Sequence, residues 1–302
     1  MGNMNKVVVI VGTNASGKSG LAIELAKKFN GEIISADSRQ VYKGLDVATG
    51  KITQEEMDGV PHHLIDVADP TERYTAADFA RDGRKVLDDI IARGKLPIIA
   101  GGTGFYIDAL LNPRLLATVP PNENLRLELE KGSVEDLFEQ LRDIDPDRAG
   151  DLERKGEKNL KRRIVRAVEV ALTAPEHHRE TVENEPFDAL WIGVRWDDNT
   201  SKERIRTRTT QRIEGGMIEE AQQLLQDGLS WERMEELGLE YKHLADYLRD
   251  KISKEELIEL INRDDWRYAK RQRTWFKRNT EINWFDGGKL NDAQELVREF
   301  LK

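Results

Sequence analysis

Eight residues near the N-terminus, Gly12 to Ser19, could bind phosphate. Their sequence, GTNASGKS, has the Gly-x-x-x-x-Gly-Lys-Ser spacing of a P-loop, in which backbone N–H groups surround a phosphate at a helix N-terminus. In such a loop Lys18 reaches the distal phosphate and Ser19 ligates Mg²⁺. The apolar run KVVVIVG precedes the loop and the helical pattern of GKSGLAIELAKKF follows it, which is the context that a P-loop requires. The motif therefore predicts a phosphate-bearing ligand without saying which one.

Two polar residues at the ends of later apolar stretches could act on a ligand held by this loop. Asp37 follows GEIISA and could be a general base, a metal ligand or the N-cap of a helix. Thr103 follows LPIIAGG, where two glycines let the backbone approach a ligand, although a simple strand-ending turn would look the same. Ligands of parallel α/β sheets bind at the carboxyl ends of the strands, so the loop, Asp37 and Thr103 are predicted to converge.

Basic residues form a second group of candidates. Arg204 and Arg208 in ERIRTRTTQRIEGG are four residues apart and share a helix face. Such a pair can bind a diphosphate bidentately, but a solvated basic face is the commoner explanation. Asp66, in HHLID, is an acid that could orient Mg²⁺, since LPIIAGG carries none where nucleotide kinases and ATPases often do.

Two segments concentrate positive charge in a chain whose formal net charge is −9. KNLKRRIVR (158–166) holds five basic residues and WRYAKRQRTWFKR (266–278) holds six, and neither contains an acid. In the second segment a helical projection places Tyr268, Trp275 and Phe276 on one side and the cations around the rest. Such a helix suits a nucleic-acid backbone, while pairing with acidic neighbours is the alternative.

Composition excludes several classes of protein. The 302 residues include no cysteine, which excludes disulfides and cysteine-ligated zinc and fits a reducing compartment. No stretch approaches the ~18 consecutive apolar residues of a membrane span. The apolar run before the loop is interpreted as a strand and not a signal peptide, because it leads directly into glycine. We expect a cytoplasmic monomer without a membrane partner.

The order of the predicted elements indicates an α/β fold. KVVVIVG, GEIISAD, HHLIDV, KLPIIAGG, FDALWIGVRW and INWFD are predicted strands, and helical patterns follow most of them. This alternation favours a P-loop NTPase-like parallel sheet with helices on both faces. The stretch 112–186 is charged and mainly helical, so we interpret it as an insertion domain that contacts the nucleic acid. Residues 1–111 and 187–302 then form the core.

Several blocks of sequence together resemble one enzyme family. They are the loop, ISADSRQVYKGLDVATGK, PHHLIDVADPTERYTAADF, AGGTGFYIDALL, RIRTRTTQRIEGGMIEEA and YAKRQRTWFKR. In this order they resemble the tRNA dimethylallyltransferases, also called tRNA isopentenyltransferases, over nearly the whole chain. The Asp-Ser-x-Gln-x-Tyr and Lys-Arg-Gln-x-Thr-Trp-Phe blocks are specific to that family. The chain lacks the cysteines of the eukaryotic members' zinc finger, which favours the bacterial type.

The resemblance implies a reaction. The loop would hold the diphosphate of dimethylallyl diphosphate with Mg²⁺, and no ATP would be consumed. The prenyl group would pass to the exocyclic amine of the adenosine 3′-adjacent to the anticodon, in tRNAs that read codons beginning with U. Asp37 would accept a proton from the amine, Thr103 would lie beside it, and Lys18, Ser19 and Arg208 would stabilise the leaving group. The adenosine would leave its stack to react, and Gln40 could read it.

The residues that the resemblance assigns fall into three sets. The catalytic set is Asp37, Thr103 and Arg208. The diphosphate-binding set is Gly12, Thr13, Asn14, Ala15, Ser16, Gly17, Lys18, Ser19 and Arg204, with Ser19 also ligating the metal. The tRNA-binding set is Ser38, Gln40, Lys161, Arg162, Arg163, Arg267, Lys270, Arg271, Arg273, Lys277 and Arg278.

The sequence departs from the family pattern in places, and other functions stay open. Thr13, Asn14 and Ser19 replace the usual Pro, Thr and Thr of the loop, and VATGK (47–51) and LTAPEHH (172–178) differ from the usual blocks. A small-molecule or nucleotide kinase, an isopentenyltransferase acting on free adenine nucleotides and a non-enzymatic P-loop RNA-binding protein are the alternatives.

Overall fold

A parallel β-sheet organises the chain. The computed structural model describes residues 5–112, 122–173, 187–287 and 291–302. Within these residues, six strands pair in the order β3-β2-β4-β1-β5-β6, and each neighbouring pair is parallel. The strands are β1 (Lys6–Gly12), β2 (Gly31–Ser35), β3 (His62–His63), β4 (Leu96–Gly101), β5 (Asp188–Arg195) and β6 (Asn283–Asp286). Parallel strands need crossover connections, and helices supply them here. The predicted α/β fold with a P-loop-like parallel sheet is thus confirmed.

The helices follow the strands in chain order. They are α1 (Lys18–Lys28), α2 (Gln54–Met57), α3 (Ala76–Ala92), α4 (Gly104–Leu111), α5 (Glu123–Leu129), α6 (Val134–Ile144), α7 (Pro146–Arg154), α8 (Lys161–Thr173), α9 (Asp198–Glu214), α10 (Met217–Gln226), α11 (Trp231–Leu237), α12 (Leu239–Leu248), α13 (Lys254–Phe276) and α14 (Asn291–Leu301). Of the described helices, none is both long and apolar enough to cross a membrane.

Successive residues of β1 show that the sheet is covered on both faces. Val7, Val9 and Val11 pack into one buried cluster with residues of α3, α4 and α10 to α13. Val8 and Ile10 point the other way and pack with residues of α1 and α14. Side chains alternate along a strand, so a strand buried on both sides must be apolar throughout, as KVVVIVG is. This requirement explains why the central strands were predictable from apolar runs.

The predicted strand HHLIDV is shorter in the structure than expected. Only His62 and His63 pair with β2. Leu64 and Asp66 have φ angles of 60° and 56°, so the backbone turns out of the extended conformation immediately after the pair. Several helices were not predicted, among them α2, α11, α12 and α14.

Residues 114–183 separate from the rest as a second compact unit. Its described part consists of α5 to α8, whose apolar faces share a cluster that includes Leu137, Leu141, Ile164 and Val168. Ser133 caps α6 by accepting a hydrogen bond from the backbone N–H three residues later. The altered block LTAPEHH lies mostly outside the described residues.

Candidate active site

A cavity of about 830 Å³ opens at the carboxyl ends of β1, β2 and β4. These strands are neighbours in the sheet, so the loops that follow them meet at one edge. Residues of α9, α12 and α13 complete the wall. Among the predicted site residues, the lining includes Asn14, Ala15, Ser16, Gly17, Lys18, Ser19, Asp37, Ser38, Gln40, Arg204 and Arg208.

The loop after β1 has the geometry of an anion site. Gly17 has φ 95°, and helix α1 begins at the next residue without a side-chain cap and without an acid in its first turn. The first backbone N–H groups of α1 are therefore left for a ligand, at the end of the helix that favours negative charge. A Cβ on Gly12 would lie 2.6 Å from Ser16 Oγ and 2.7 Å from Val194 O, so only glycine fits where the loop starts.

Gln272, on α13, connects two of the loops at the cavity. Its Oε1 accepts the backbone N–H of Asn14 at 2.9 Å, and its Nε2 donates to Gly102 O at 3.0 Å. Gln272 therefore ties the loop after β1 to the loop after β4. Gln272 was not among the predicted site residues, although it lies within the specific Lys-Arg-Gln block, and its burial became visible only in the structure.

Asp37 lies in a turn directly after β2. Its Oδ1 accepts the backbone N–H of Arg39 at 2.9 Å and of Gln40 at 3.4 Å. The following residues form a turn and no helix, so Asp37 caps a turn and is not the N-cap of a helix. Both bonds use the same oxygen and fix the orientation of the carboxylate, which lines the cavity.

Thr103 lies one hydrogen bond behind the cavity wall. Its hydroxyl accepts the backbone N–H of Ser38 at 3.0 Å. Burial raises the pKa of Tyr268 to about 12, while hydrogen bonds with Thr103 and Gln272 oppose that rise. Tyr268 itself lines the cavity. Thr103 thus contacts two wall residues and is not itself part of the lining.

The amide of Gln40 is held by neighbouring protein groups. Its Nε2 donates to Gly50 O at 3.3 Å, and Ser35 Oγ donates to its Oε1 at 3.3 Å. One N–H and one lone pair of the amide are thus used within the protein, and the second of each is left for a base. Asp66, the possible magnesium-orienting acid of a kinase, pairs with Lys51 and is not among the residues that line the cavity.

Burial lowers the pKa values of two cations of the cavity, Lys18 and Arg208, but both pKa values stay above 7. Burial lowers the pKa of Lys18 to about 8, an effect that the nearby Asp37 carboxylate opposes and Arg208 reinforces. Burial, followed by the neighbouring Arg212, lowers the pKa of Arg208 to about 10. Arg204 lies at the rim, where its Nε donates to Ala15 O at 2.7 Å and its guanidinium stacks over the Trp196 ring.

A buried polar cluster next to Arg208 was not predicted from the sequence. Arg212 pairs with Glu240 at 3.0 Å, and both Arg208 and Arg212 donate to Thr49 O, at 3.2 and 3.0 Å. Burial and the neighbouring Glu240 raise the pKa of Asp265, which lines the same cavity. The helical spacing of Arg208 and Arg212 was visible in the sequence, but their shared carbonyl partner was not.

Glu220 holds the segment that supplies this carbonyl. Its carboxylate accepts the backbone N–H groups of Asp46, Val47 and Ala48 at 2.8, 2.6 and 3.0 Å, and the Tyr241 hydroxyl at 2.7 Å. One carboxylate on α10 therefore fixes the backbone just before the carbonyl that Arg208 contacts.

Replacing Glu220 with alanine should lower the free energy of unfolding by at least about 2 kcal/mol, since it leaves several N–H donors without their charged acceptor. The midpoint of urea denaturation measures the loss. Glu219→Ala, an exposed change one residue away, is the matched control and should stay within about 0.5 kcal/mol of the parent. Equal effects of the two changes would show that the Glu220 contacts contribute nothing to stability.

Some cations of α13 are paired with acidic side chains. Arg267 pairs with Asp264 at 3.0 Å. Arg273 pairs with Asp198 and donates to Ser201 Oγ at 2.9 Å, so it fastens α13 to α9. These acids lie outside the stretch 266–278, which is why the sequence segment alone seemed free of partners. Other predicted RNA-binding cations at this end are exposed, namely Lys270, Arg271, Lys277 and Arg278.

The three predicted RNA-binding cations of the second unit lie at the start of α8. Lys161 donates to Glu130 O at 2.7 Å, and Arg163 pairs with Glu157. Arg162 is exposed. Two of the three thus already serve contacts within the unit.

Comparison with known proteins identifies the family. The family model described as IPP transferase matches residues 40–279. The chain is 40% identical over 300 residues to tRNA dimethylallyltransferase 1 of Geotalea uraniireducens, covering 97% of each chain, and 41% identical over 301 residues to the tRNA dimethylallyltransferase of Anoxybacillus flavithermus, covering 98% and 95%.

Solved structures give the same result. A tRNA isopentenylpyrophosphate transferase from Bacillus halodurans superposes with a TM-score of 0.73 at 36% identity, covering 98% of this chain and 96% of that one. A eukaryotic dimethylallyltransferase, described as acting on tRNA, superposes with a TM-score of 0.82 at 29% identity, covering 98% and 79%. The family model and these relatives show that this chain belongs to the tRNA dimethylallyltransferase family of transferases.

Proposed function

We propose that this chain transfers a dimethylallyl group from dimethylallyl diphosphate to the exocyclic amine of the adenosine 3′-adjacent to the anticodon, in tRNAs that read codons beginning with U. The observation that carries the proposal is the composition of one cavity. A P-loop with Lys18 and Arg208 offers positive charge for a diphosphate, and Asp37, just after β2, offers a carboxylate to the same cavity. That pairing suits a reaction that releases an anion and takes a proton from the nucleophile.

The proposed step breaks one bond and forms one. The lone pair of the amine attacks the first carbon of the allyl group, and the carbon–oxygen bond breaks with its electron pair going to the diphosphate. Asp37 accepts the proton that the amine loses, in the orientation set by the N–H groups of Arg39 and Gln40. Lys18 and Arg208 stabilise the charge that develops on the departing oxygen.

The loop residues fit a magnesium ion, although the described residues contain no cluster of three or more His, Asp or Glu that could hold one. Mg²⁺ usually takes only one or two protein oxygens in phosphate sites and completes its shell with phosphates and water. Ser19 offers such a hydroxyl at the cavity, and the buried Ser16 Oγ has no hydrogen-bond partner among the described residues. When bound, the ion would neutralise part of the diphosphate charge.

The RNA substrate would be held by phosphate contacts around the cavity. The exposed cations Lys270, Arg271, Lys277 and Arg278 are the available candidates, with Arg267 if it exchanges its acidic partner. Within the second unit, the exposed Arg162 on α8 is a separate candidate for contact with the RNA. Stacked adenosine cannot reach a recessed carboxylate, so the target nucleotide must be flipped out.

One assay separates this proposal from the alternatives. The protein is incubated with labelled dimethylallyl diphosphate and either unmodified tRNA or AMP, and ATP hydrolysis is followed in parallel. Label in tRNA alone supports the proposal. Label in AMP would indicate an enzyme acting on free nucleotides, phosphate transfer from ATP would indicate a kinase, and tRNA binding without any transfer would indicate an RNA-binding protein.

Diphosphate binding should depend on pH through Lys18. Its ammonium form persists below the lowered pKa of about 8 and is lost above it, so binding strength is present at low pH and falls as the pH rises. Inorganic pyrophosphate binding is measured by calorimetry for the parent and for Lys18→Met. The ratio of the two affinities, which cancels the titration of the ligand, should fall about fivefold between pH 8 and pH 9. A ratio that is constant over this interval would contradict the prediction.

A further inference from the structure

Three side chains outside the cavity lining contact one another and form a partly exposed surface, which we call the aromatic platform: Phe105, Trp275 and Arg278. The rings of Phe105 and Trp275 meet edge to face with centroids 5.9 Å apart. The guanidinium of Arg278 lies 3.8 Å from the centroid of Trp275 and donates to Trp275 O at 3.2 Å. Phe105 is 42% exposed, which leaves a large apolar surface facing water.

The platform is built to hold its shape. Trp275 Nε1 donates to Asp108 Oδ2 at 3.0 Å, which anchors the indole against α4. A Cβ on Gly104 would lie 2.2 Å from Trp275 Cδ1, so this glycine allows the indole to pack directly on the helix backbone. An indole fixed on one side and an exposed phenyl ring on the other form a rigid π surface, whereas scattered exposed apolar residues would show no such support.

Two residues of the platform follow residues at the cavity along the chain. Phe105 is two residues after Thr103, whose hydroxyl contacts two wall residues of the cavity. Trp275 is seven residues after Tyr268 on α13, so the two share a helix face about 10 Å apart along the axis. The platform thus continues, outside the cavity, the helix face that lines it.

The chemistry of the platform matches unpaired nucleobases. Flat bases stack on aromatic rings and on arginine guanidinium planes, and this is how single-stranded RNA loops are commonly held. Exposed Lys277, next to Arg278, adds positive charge for the phosphates of the same strand. A protein partner would not require this combination of π surface and cations.

We propose that the aromatic platform stacks an unpaired base adjacent to the target adenosine, and so holds the anticodon loop open while the target enters the cavity. The inference rests on the proposed function, since it assumes an RNA substrate. It adds a site for a neighbouring nucleobase, formed by Phe105, Trp275 and Arg278.

The test uses the full chain, an anticodon stem-loop RNA and the same RNA made abasic at either neighbour of the target. Phe105→Ala should weaken RNA binding about 5- to 100-fold, the range for loss of one stacked base, and Phe105→Trp should retain it. The parent should bind one of the two abasic RNAs about as weakly as Phe105→Ala binds the intact RNA. On that abasic RNA, Phe105→Ala should have the same affinity as the parent. Val67→Ala, at another exposed apolar residue, is the control and should bind as the parent.

Other results would overturn the proposal. They are unchanged RNA affinity in Phe105→Ala, an equal loss on intact RNA and on both abasic RNAs, or weak binding by Phe105→Trp that matches the alanine variant. Failure of the proposed function would look different, because the unsubstituted chain would then transfer no prenyl group to tRNA. If the parent transfers the prenyl group to tRNA and Phe105→Ala binds RNA as tightly as the parent, only the platform proposal is refuted.

Discussion

Replacing Asp37 with asparagine should lower the single-turnover rate of prenyl transfer about 10²- to 10⁴-fold, the usual contribution of a general base, with little change in tRNA affinity. Asp37 lines the cavity, and in the proposed step its ionised carboxylate accepts the proton of the amine. Single-turnover transfer from labelled dimethylallyl diphosphate measures the rate, and filter binding measures the affinity.

The asparagine variant is sharper than alanine because it separates two roles of Asp37. Its amide oxygen can still accept the N–H groups of Arg39 and Gln40, so the turn after β2 keeps its cap while the base is lost. If Asp37→Asn keeps more than a tenth of the parent rate and only Asp37→Ala is inactive, the residue serves the turn and a different group takes the proton.

Replacing Arg208 with glutamine should lower the transfer rate about 10²- to 10³-fold, as removal of one preorganised donor to a developing anion does in other enzymes. Arg208 is partly buried and keeps its charge at neutral pH, since its pKa falls only to about 10. The affinity for pyrophosphate should weaken as well, because in the proposed arrangement the same guanidinium also binds the released product. Single-turnover kinetics and calorimetry measure the two effects.

Arg206→Gln provides the matched control for that prediction. Arg206 lies on the same helix, is exposed and is absent from the residues that line the cavity. The Arg206→Gln variant loses the same positive charge but keeps every residue of the cavity wall, so its transfer rate should stay near that of the parent. Equal losses in both variants would mean that the general charge of α9, and not the position of Arg208, matters.

Local sequence determined the strands and the loop. The buried strands must be apolar throughout because both faces are covered, and the loop after β1 needs glycine at Gly12 and Gly17 for reasons of space and backbone conformation. Since parallel strands end at one edge, the positions of Asp37 and Thr103 in the sequence were enough to bring them near that loop. The same reasoning failed for HHLIDV, where left-handed residues end the strand after two positions.

Tertiary structure decided which polar residues are held and which remain available. Gln272 joins two loops that are far apart in sequence, and Glu220 holds a segment some 170 residues before it. The acids that pair with Arg267 and Arg273 also come from outside their charged run. A hydrogen bond or ion pair depends on distances between distant parts of the chain, and residue type and spacing carry no such information. The sequence by itself thus determined the family and the candidate site residues, while only the folded chain showed how those residues are positioned.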